Sequence, residues 1–260
     1  MIAMGGGRLV EVGAVNSTAP SLLASALNPR VVAVVFVTSH THAVHQKGVA
    51  LEEVVAIGKE RGVPVIVDAA GESDLRRWVS SGADLVIYSG PKMLGGPTAG
   101  FICGRADLVA ACRAQNDGIA RPMKVGKENL MGLLQAVREY VAVPEEERAA
   151  VQQVRMSKLA ARLDQLPGVS AEVVGDDSGR LIHRVLLNID TDLTGWSPAD
   201  LDRELRAGDP SIYLRDFKLH LDQLEIDPRA LSDAGEETLA RRLEEMLTVR
   251  AARTDAETAV

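Results

Sequence analysis

The stretch Val65-Ile66-Val67-Asp68-Ala69-Ala70, followed by Gly82-Ala83-Asp84-Leu85-Val86-Ile87-Tyr88-Ser89-Gly90-Pro91-Lys92, decides the fold class. Two short β-branched runs, each closed by turn residues and separated by a charged segment, predict parallel strands joined by a crossover helix. Strands in such a sheet open their carboxyl ends on one edge, where α/β proteins bind ligands. Asp68 ends one run, and Lys92 lies four residues beyond Tyr88, the end of the next. An acid and an amine are therefore expected to share one crevice. Gly90, Pro91, Gly95, Gly96 and Pro97 surround the lysine, and glycine N–H groups can meet a phosphate.

Working outward, strands are predicted at Leu9 to Val12, Val31 to Val37, Val63 to Val67, Leu85 to Tyr88 and Gly100 to Cys103. Helices are predicted from Leu51 to Gly62, Glu72 to Ser80 and Arg105 to Gln115, and two longer ones at Asn129 to Ala142 and Glu145 to Leu166. Beyond Pro167-Gly168 the pattern gives strands at Val169 to Val174 and Leu181 to Ile189, then a helix at Pro198 to Arg206. A short strand pair near Ser211 to Leu214 and Gln223 to Ile226 precedes a last helix carrying Leu239, Leu243, Met246 and Leu247. The organisation expected is a large α/β domain over 1–144, a smaller α+β domain over 145–250 and a flexible tail over 251–260.

The 260 residues are 46% hydrophobic, 25% charged and 3% aromatic, with a formal charge of −7, which fits a folded chain and disfavours disorder. The longest apolar run, Val31 to Val37, is far short of the roughly 18 to 20 residues of a spanning helix. Met1 to Gly7 has neither the basic start nor the apolar stretch of a signal peptide, so a cytoplasmic location is expected. Few aromatics and an acidic balance argue against nucleic-acid binding. Cys103 and Cys112 form no CxxC pair and read as packing residues.

The quoted stretch, with Gly95-Gly96-Pro97, Gly100-Phe101-Ile102-Cys103-Gly104 and the opening Gly6-Gly7-Arg8-Leu9-Val10-Glu11-Val12-Gly13, resembles fold-type-I pyridoxal-phosphate enzymes. Within them it is most similar to the SelA-like group, which contains L-seryl-tRNA(Sec) selenium transferase and D-glucosaminate-6-phosphate ammonia-lyase. The resemblance runs from about Gly5 to Leu247. It implies pyridoxal 5'-phosphate as cofactor, with Lys92 forming the internal aldimine and then moving protons at the substrate α-carbon. Asp68 matches the carboxylate paired with the pyridine nitrogen, and Ser89 a position that bonds the cofactor phosphate. Gly96 and Thr98 match a loop that helps hold a neighbouring subunit's cofactor, which implies a homodimer or larger homo-oligomer. Arg215 resembles the small-domain arginine that grips a substrate carboxylate. His40 falls near a residue that contacts the ring hydroxyl. The run His40, His42, His45 also raises zinc, but no acid or cysteine accompanies it, so no metal is expected.

Subunits of this group have a substantial segment before the residue matched by Met1, so the large domain is expected to be incomplete. Three functions follow from the resemblance. One is elimination of ammonia from a 2-amino-3-hydroxy acid, an amino-acid or amino-sugar-acid substrate, as in the ammonia-lyase branch. Another is selenium transfer on seryl-tRNA, disfavoured by the charge of −7, or an aminotransferase-like reaction. The third is a non-catalytic remnant or partner subunit.

Overall fold

Gly62 adopts a left-handed conformation with φ of 66°, and its N–H donates to the carbonyls of Gly58 and Lys59. That cap ends helix α2 (Leu51–Arg61), so the chain can turn directly into strand β2 (Val65–Asp68). The computed structural model describes residues 2–14, 17–38, 48–177 and 179–258. It divides into two units, Met1–Val143 and Pro144–Val260.

In the first unit, β1 (Val34–Val37), β2, β3 (Leu85–Ser89) and β4 (Gly100–Gly104) lie in that order in one sheet. β1, β2 and β3 are parallel, with Val37 opposite Asp68 and Asp68 opposite Ile87, whereas β4 runs antiparallel to β3. Helices α1 (Pro20–Ala26), α2 and α3 (Arg77–Ser80) contribute Leu23, Val54, Val55 and Trp78 to a core shared with Val65, Val67, Val86 and Tyr88. Helices α4 (Ala106–Ala114) and α5 (Lys127–Ala142) follow the sheet.

Two expectations for this unit need correction. Leu9 to Val12 is not a strand: Leu9 and Val10 are exposed, and that part of the chain makes only an isolated bridge between Ala14 and Ser17. The helix expected from Glu72 begins only at Arg77. The Asp74 carboxylate accepts the N–H groups of Arg76 and Arg77, while Glu72 and Ser73 are buried in the turn before it.

One glycine sets the spacing between α2 and the sheet. A Cβ on Gly58 would lie 2.6 Å from Val65 Cγ2 and 2.8 Å from the Val63 carbonyl oxygen. Alanine would add about 1 kcal/mol of helix propensity. The backbone contact cannot rotate away, so overpacking dominates. Gly58→Ala is expected to lose about 1–3 kcal/mol in urea unfolding.

The second unit packs α6 (Glu145–Leu163), α7 (Thr191–Thr194), α8 (Pro198–Ala207) and α9 (Asp233–Thr258) with an antiparallel sheet in the order β5 (Val169–Val174), β6 (Arg184–Ile189), β7 (Gln223–Ile226). Met156, Leu163, Val185, Leu187, Leu201, Leu205, Leu224, Leu243 and Leu247 form its core. Here β7 pairs with β6 rather than with Ser211 to Leu214. Pro210 offers no N–H, the Ile212 N–H turns to the Leu205 carbonyl, and only Arg215 bridges to β7, through Glu225. The helical backbone of α9 continues through 251–258, a run with no glycine or proline to stop it. Among the described residues, no helix is long and apolar enough to cross a membrane.

Candidate active site

Asp68 and Lys92 stand where parallel pairing sends them. β2 and β3 are adjacent and parallel, and with Asp68 opposite Ile87 the chain runs on through Tyr88 and Ser89 into the turn that carries the lysine. The half-buried Asp68 carboxylate is steadied through Oδ1, which accepts the Ala70 N–H at 3.1 Å. The Asp68 carbonyl accepts from the Thr38 N–H at 3.1 Å and the Thr38 hydroxyl at 3.0 Å, locking the ends of β1 and β2 together. Lys92 is exposed and forms no ion pair with a described residue. Ser89 is half-buried at the last position of β3.

The glycines after Ser89 do not act as an open phosphate nest. The Gly90 N–H donates to Ala99 O at 2.7 Å, Gly96 N–H to Gly90 O at 2.8 Å, and Gly95 N–H to Lys92 O at 3.1 Å. These donors are used within the loop because it must reverse the chain into antiparallel β4. A Cβ at Gly90 would meet Pro97 O, Ala99 O and Leu133 Cδ1, all within 3 Å, so glycine is needed there for close packing. Thr98 is exposed, and its carbonyl accepts from the Asn129 side chain at 3.1 Å.

Two tyrosines hold the loop beyond Asp68, a role the sequence reading missed. The Tyr88 hydroxyl donates to Leu75 O at 3.1 Å, and the Tyr140 hydroxyl donates to Ser73 O at 2.8 Å. Burial, with Cys103, Asp74 and Glu72 adding to it, pushes the Tyr88 phenol above its ordinary range and keeps it a neutral donor. The signal was available as scarcity: of three tyrosines in the chain, one is next to last in β3 and another sits on α5. Burial likewise raises the Cys103 thiol, which suits a packing residue rather than a nucleophile.

In the second unit Arg215 is three-quarters or more shielded and already engaged. Its Nε donates to Glu225 Oε2 at 2.9 Å, Nη1 lies 3.7 Å from Asp227 Oδ2, and its guanidinium lies over the Phe217 ring at 5.0 Å. Glu225 also takes Lys218 at 2.7 Å. Burial drives the Glu225 carboxyl up, but the bonds from Lys218 and Arg215 outweigh it and leave the group below its usual range. His40, with His42 and His45, lies outside the described residues. Among the described residues no group of three metal-ligating side chains occurs.

The donor set of the first unit fits pyridoxal phosphate. An acid with one fixed oxygen suits a protonated ring nitrogen, an amine with no ion pair to a described residue suits the aldehyde, and a hydroxyl at the end of β3 suits the phosphate. The sequence model of SelA, L-seryl-tRNA selenium transferase, matches residues 1–167. The chain is 73% identical over 247 residues to a 5'-C-glycyluridine monooxygenase-decarboxylase from Streptomyces sp, covering 95% of this chain and 62% of that protein. It is 38% identical to the D-glucosaminate-6-phosphate ammonia lyase of Salmonella typhimurium, covering 94% of this chain and 65% of that one. A solved D-glucosaminate-6-phosphate ammonia-lyase structure superposes with a TM-score of 0.81 at 38% identity, over 95% of this chain and 66% of its own. The chain thus spans a little under two thirds of the relatives it matches. With a mixed, mostly parallel sheet of this topology, and matches covering nearly its whole length, the chain belongs to the SelA family of fold-type-I pyridoxal-phosphate enzymes.

Proposed function

We propose that the chain carries the lysine-bearing part of an enzyme acting at the α-carbon of a 2-amino-3-hydroxy acid, and that its substrate is a glycyl nucleoside. The observation that carries the first part is the position of Asp68 at the carboxyl end of β2 and of Lys92 just beyond that of the adjacent parallel strand β3. The 73% identity to the glycyluridine enzyme favours the second. Both compounds named for the relatives, 5'-C-glycyluridine and D-glucosaminate 6-phosphate, are 2-amino-3-hydroxy acids, so one amine, one carboxylate and one neighbouring hydroxyl must be recognised in either.

Pyridoxal phosphate, when bound, supplies an electron sink for charge developing at the α-carbon. Asp68, whose Oδ1 is fixed by the Ala70 N–H, would hold the ring nitrogen. Ser89 would hold the phosphate at the end of β3. Lys92, free of ion pairs with described residues, anchors the cofactor and moves a proton at the substrate α-carbon. Arg215 takes the substrate carboxylate with the part of its fork that Glu225 and Asp227 leave open. Thr98 and Gly96 lie on a loop that serves the neighbouring subunit in a homodimer. Ammonia elimination is the second reading, favoured by the ammonia-lyase structure at a TM-score of 0.81.

The two readings separate on oxygen. With pyridoxal phosphate added, the protein is expected to release CO2 from 5'-C-glycyluridine in air and to stop when oxygen is removed. Oxygen-independent ammonia release from D-glucosaminate 6-phosphate would favour the second reading. Failure with both compounds would remove the substrate class altogether.

A further inference from the structure

Aromatic side chains make up 3% of this chain, yet two of them are exposed on either side of Arg215. Tyr213 is 71% exposed and Phe217 is 55% exposed, while Leu214 between them is buried. The backbone is extended here: the Arg215 N–H donates to Glu225 O at 2.9 Å and the Glu225 N–H returns to Arg215 O at 3.1 Å. Alternation in an extended segment sends Leu214 to the core and Tyr213 and Arg215 to the opposite side.

The Tyr213 ring is backed by a fixed cation. The Arg206 guanidinium lies 5.3 Å from its centroid, and Arg206 is held at 2.8 Å by both Asp202 and Asp216. One ring face is thereby supported, and the high exposure leaves the remainder open. Arg215 lies over Phe217 in the same manner, pinned by Glu225.

Resting on the reading of Arg215 as the carboxylate-binding residue, we propose that Tyr213 is the specificity residue for a planar heterocycle carried by the substrate. A two-residue step along an extended strand covers about 6.7 Å. Six bonds separate the carboxylate carbon from the base nitrogen in a glycyl nucleoside, or about 7 Å at the roughly 1.2 Å that each bond of an extended chain advances. A carboxylate held by Arg215 therefore brings the pyrimidine to Tyr213. Base stacking on an aromatic ring is strong enough to matter, and this surface offers it without any rearrangement of Arg206.

The test is equilibrium titration of the protein, loaded with pyridoxal phosphate, with 5'-C-glycyluridine and with L-threonine, which shares the 2-amino-3-hydroxy acid but has no ring. Tyr213→Ala is expected to weaken 5'-C-glycyluridine about tenfold and leave L-threonine unchanged, while Tyr213→Trp retains binding. Phe217→Ala, which unsettles Arg215, is expected to weaken both. Upfield shifts of the Tyr213 ring protons on adding 5'-C-glycyluridine, read by NMR, give the same answer without turnover. Equal weakening of both ligands in Tyr213→Ala would mean a structural role and overturn the proposal, as would no change in either. Binding with ring shifts but no oxygen-dependent CO2 release would sink the proposed reaction and leave this surface standing. Turnover that Tyr213→Ala leaves untouched would do the reverse, and absence of binding by the wild type would remove both.

Discussion

Lys92→Ala is expected to abolish the borohydride-fixed pyridoxyl mass on the peptide carrying residue 92 and to slow turnover by about 10²–10⁴-fold, the range for loss of a positioned acid–base group. The expectation rests on placement. Parallel pairing of β2 and β3 brings both carboxyl ends to one edge, and the turn after Ser89 presents an amine that no described carboxylate neutralises. An amine tied into an ion pair would have to break it before reacting, and Lys92 has none to break with a described residue. The control is Lys59→Ala, on α2, expected to leave the label intact. Label retained in Lys92→Ala, or shared equally among other lysines, would show that this residue does not carry the chemistry.

The largest expected loss of stability comes from Asp227→Ala. Asp227 accepts from Arg184 Nε at 2.9 Å and from Arg229 through Nε at 2.8 Å and Nη2 at 2.6 Å. Arg184, the first residue of β6, is 1% exposed. Removing the acid leaves that guanidinium, among the described acidic residues, to Asp176, 2.8 Å from Nη2, and breaking a buried pair costs about 3–5 kcal/mol. The exposed Arg203 and Asp200 pair is the contrast. Arg203→Ala there is expected to cost at most about 1 kcal/mol.

Acid adds a second signature. Burial drives the Asp227 carboxyl up, but the bonds and charges of Arg229 and Arg184 outweigh it and hold the group well below its ordinary range. A folded-state value lower than the unfolded one means that the unfolded chain binds the proton more readily. The contribution is therefore complete above the unfolded value of about 3.9 and drains away as pH falls further towards the folded value. Urea midpoints measured downward from pH 5 are expected to fall more steeply below about pH 4 in the wild type than in Asp227→Ala. Parallel curves would show that Asp227 is not the group responsible.

How far the sequence could be read depended on whether a feature was local. The α2 cap at Gly62, strands β2 and β3 and helix α6 follow from residues near each other in the chain, and their observed bounds lie within three residues of those expected. Leu9 to Val12 is also apolar at three of its four positions but found no described partner strand, since a strand needs neighbours that its own residues do not specify. The glycines near Lys92 illustrate the opposite limit. Their conformational freedom was legible, but the acceptors that take their N–H groups are carbonyls on the far side of a reversing loop.

Arg215 was recognisable as a candidate, whereas its surroundings were not. Glu225 and Asp227 reach it across a bridge to β7, and Tyr213 and Phe217 matter only because the extended backbone sends them outward. The sequence by itself determined that the chain is an α/β protein with an acid and a lysine at successive strand ends, because apolar period and turn chemistry are encoded residue by residue. Tertiary structure alone decided which donors are free and which are taken: Lys92 left without an ion pair to any described residue, the Gly90 and Gly96 amides closed into their loop, and Arg215 clamped between carboxylates. The physical reason is that a hydrogen bond depends on the distance between groups far apart in sequence, and only the packed chain sets that distance.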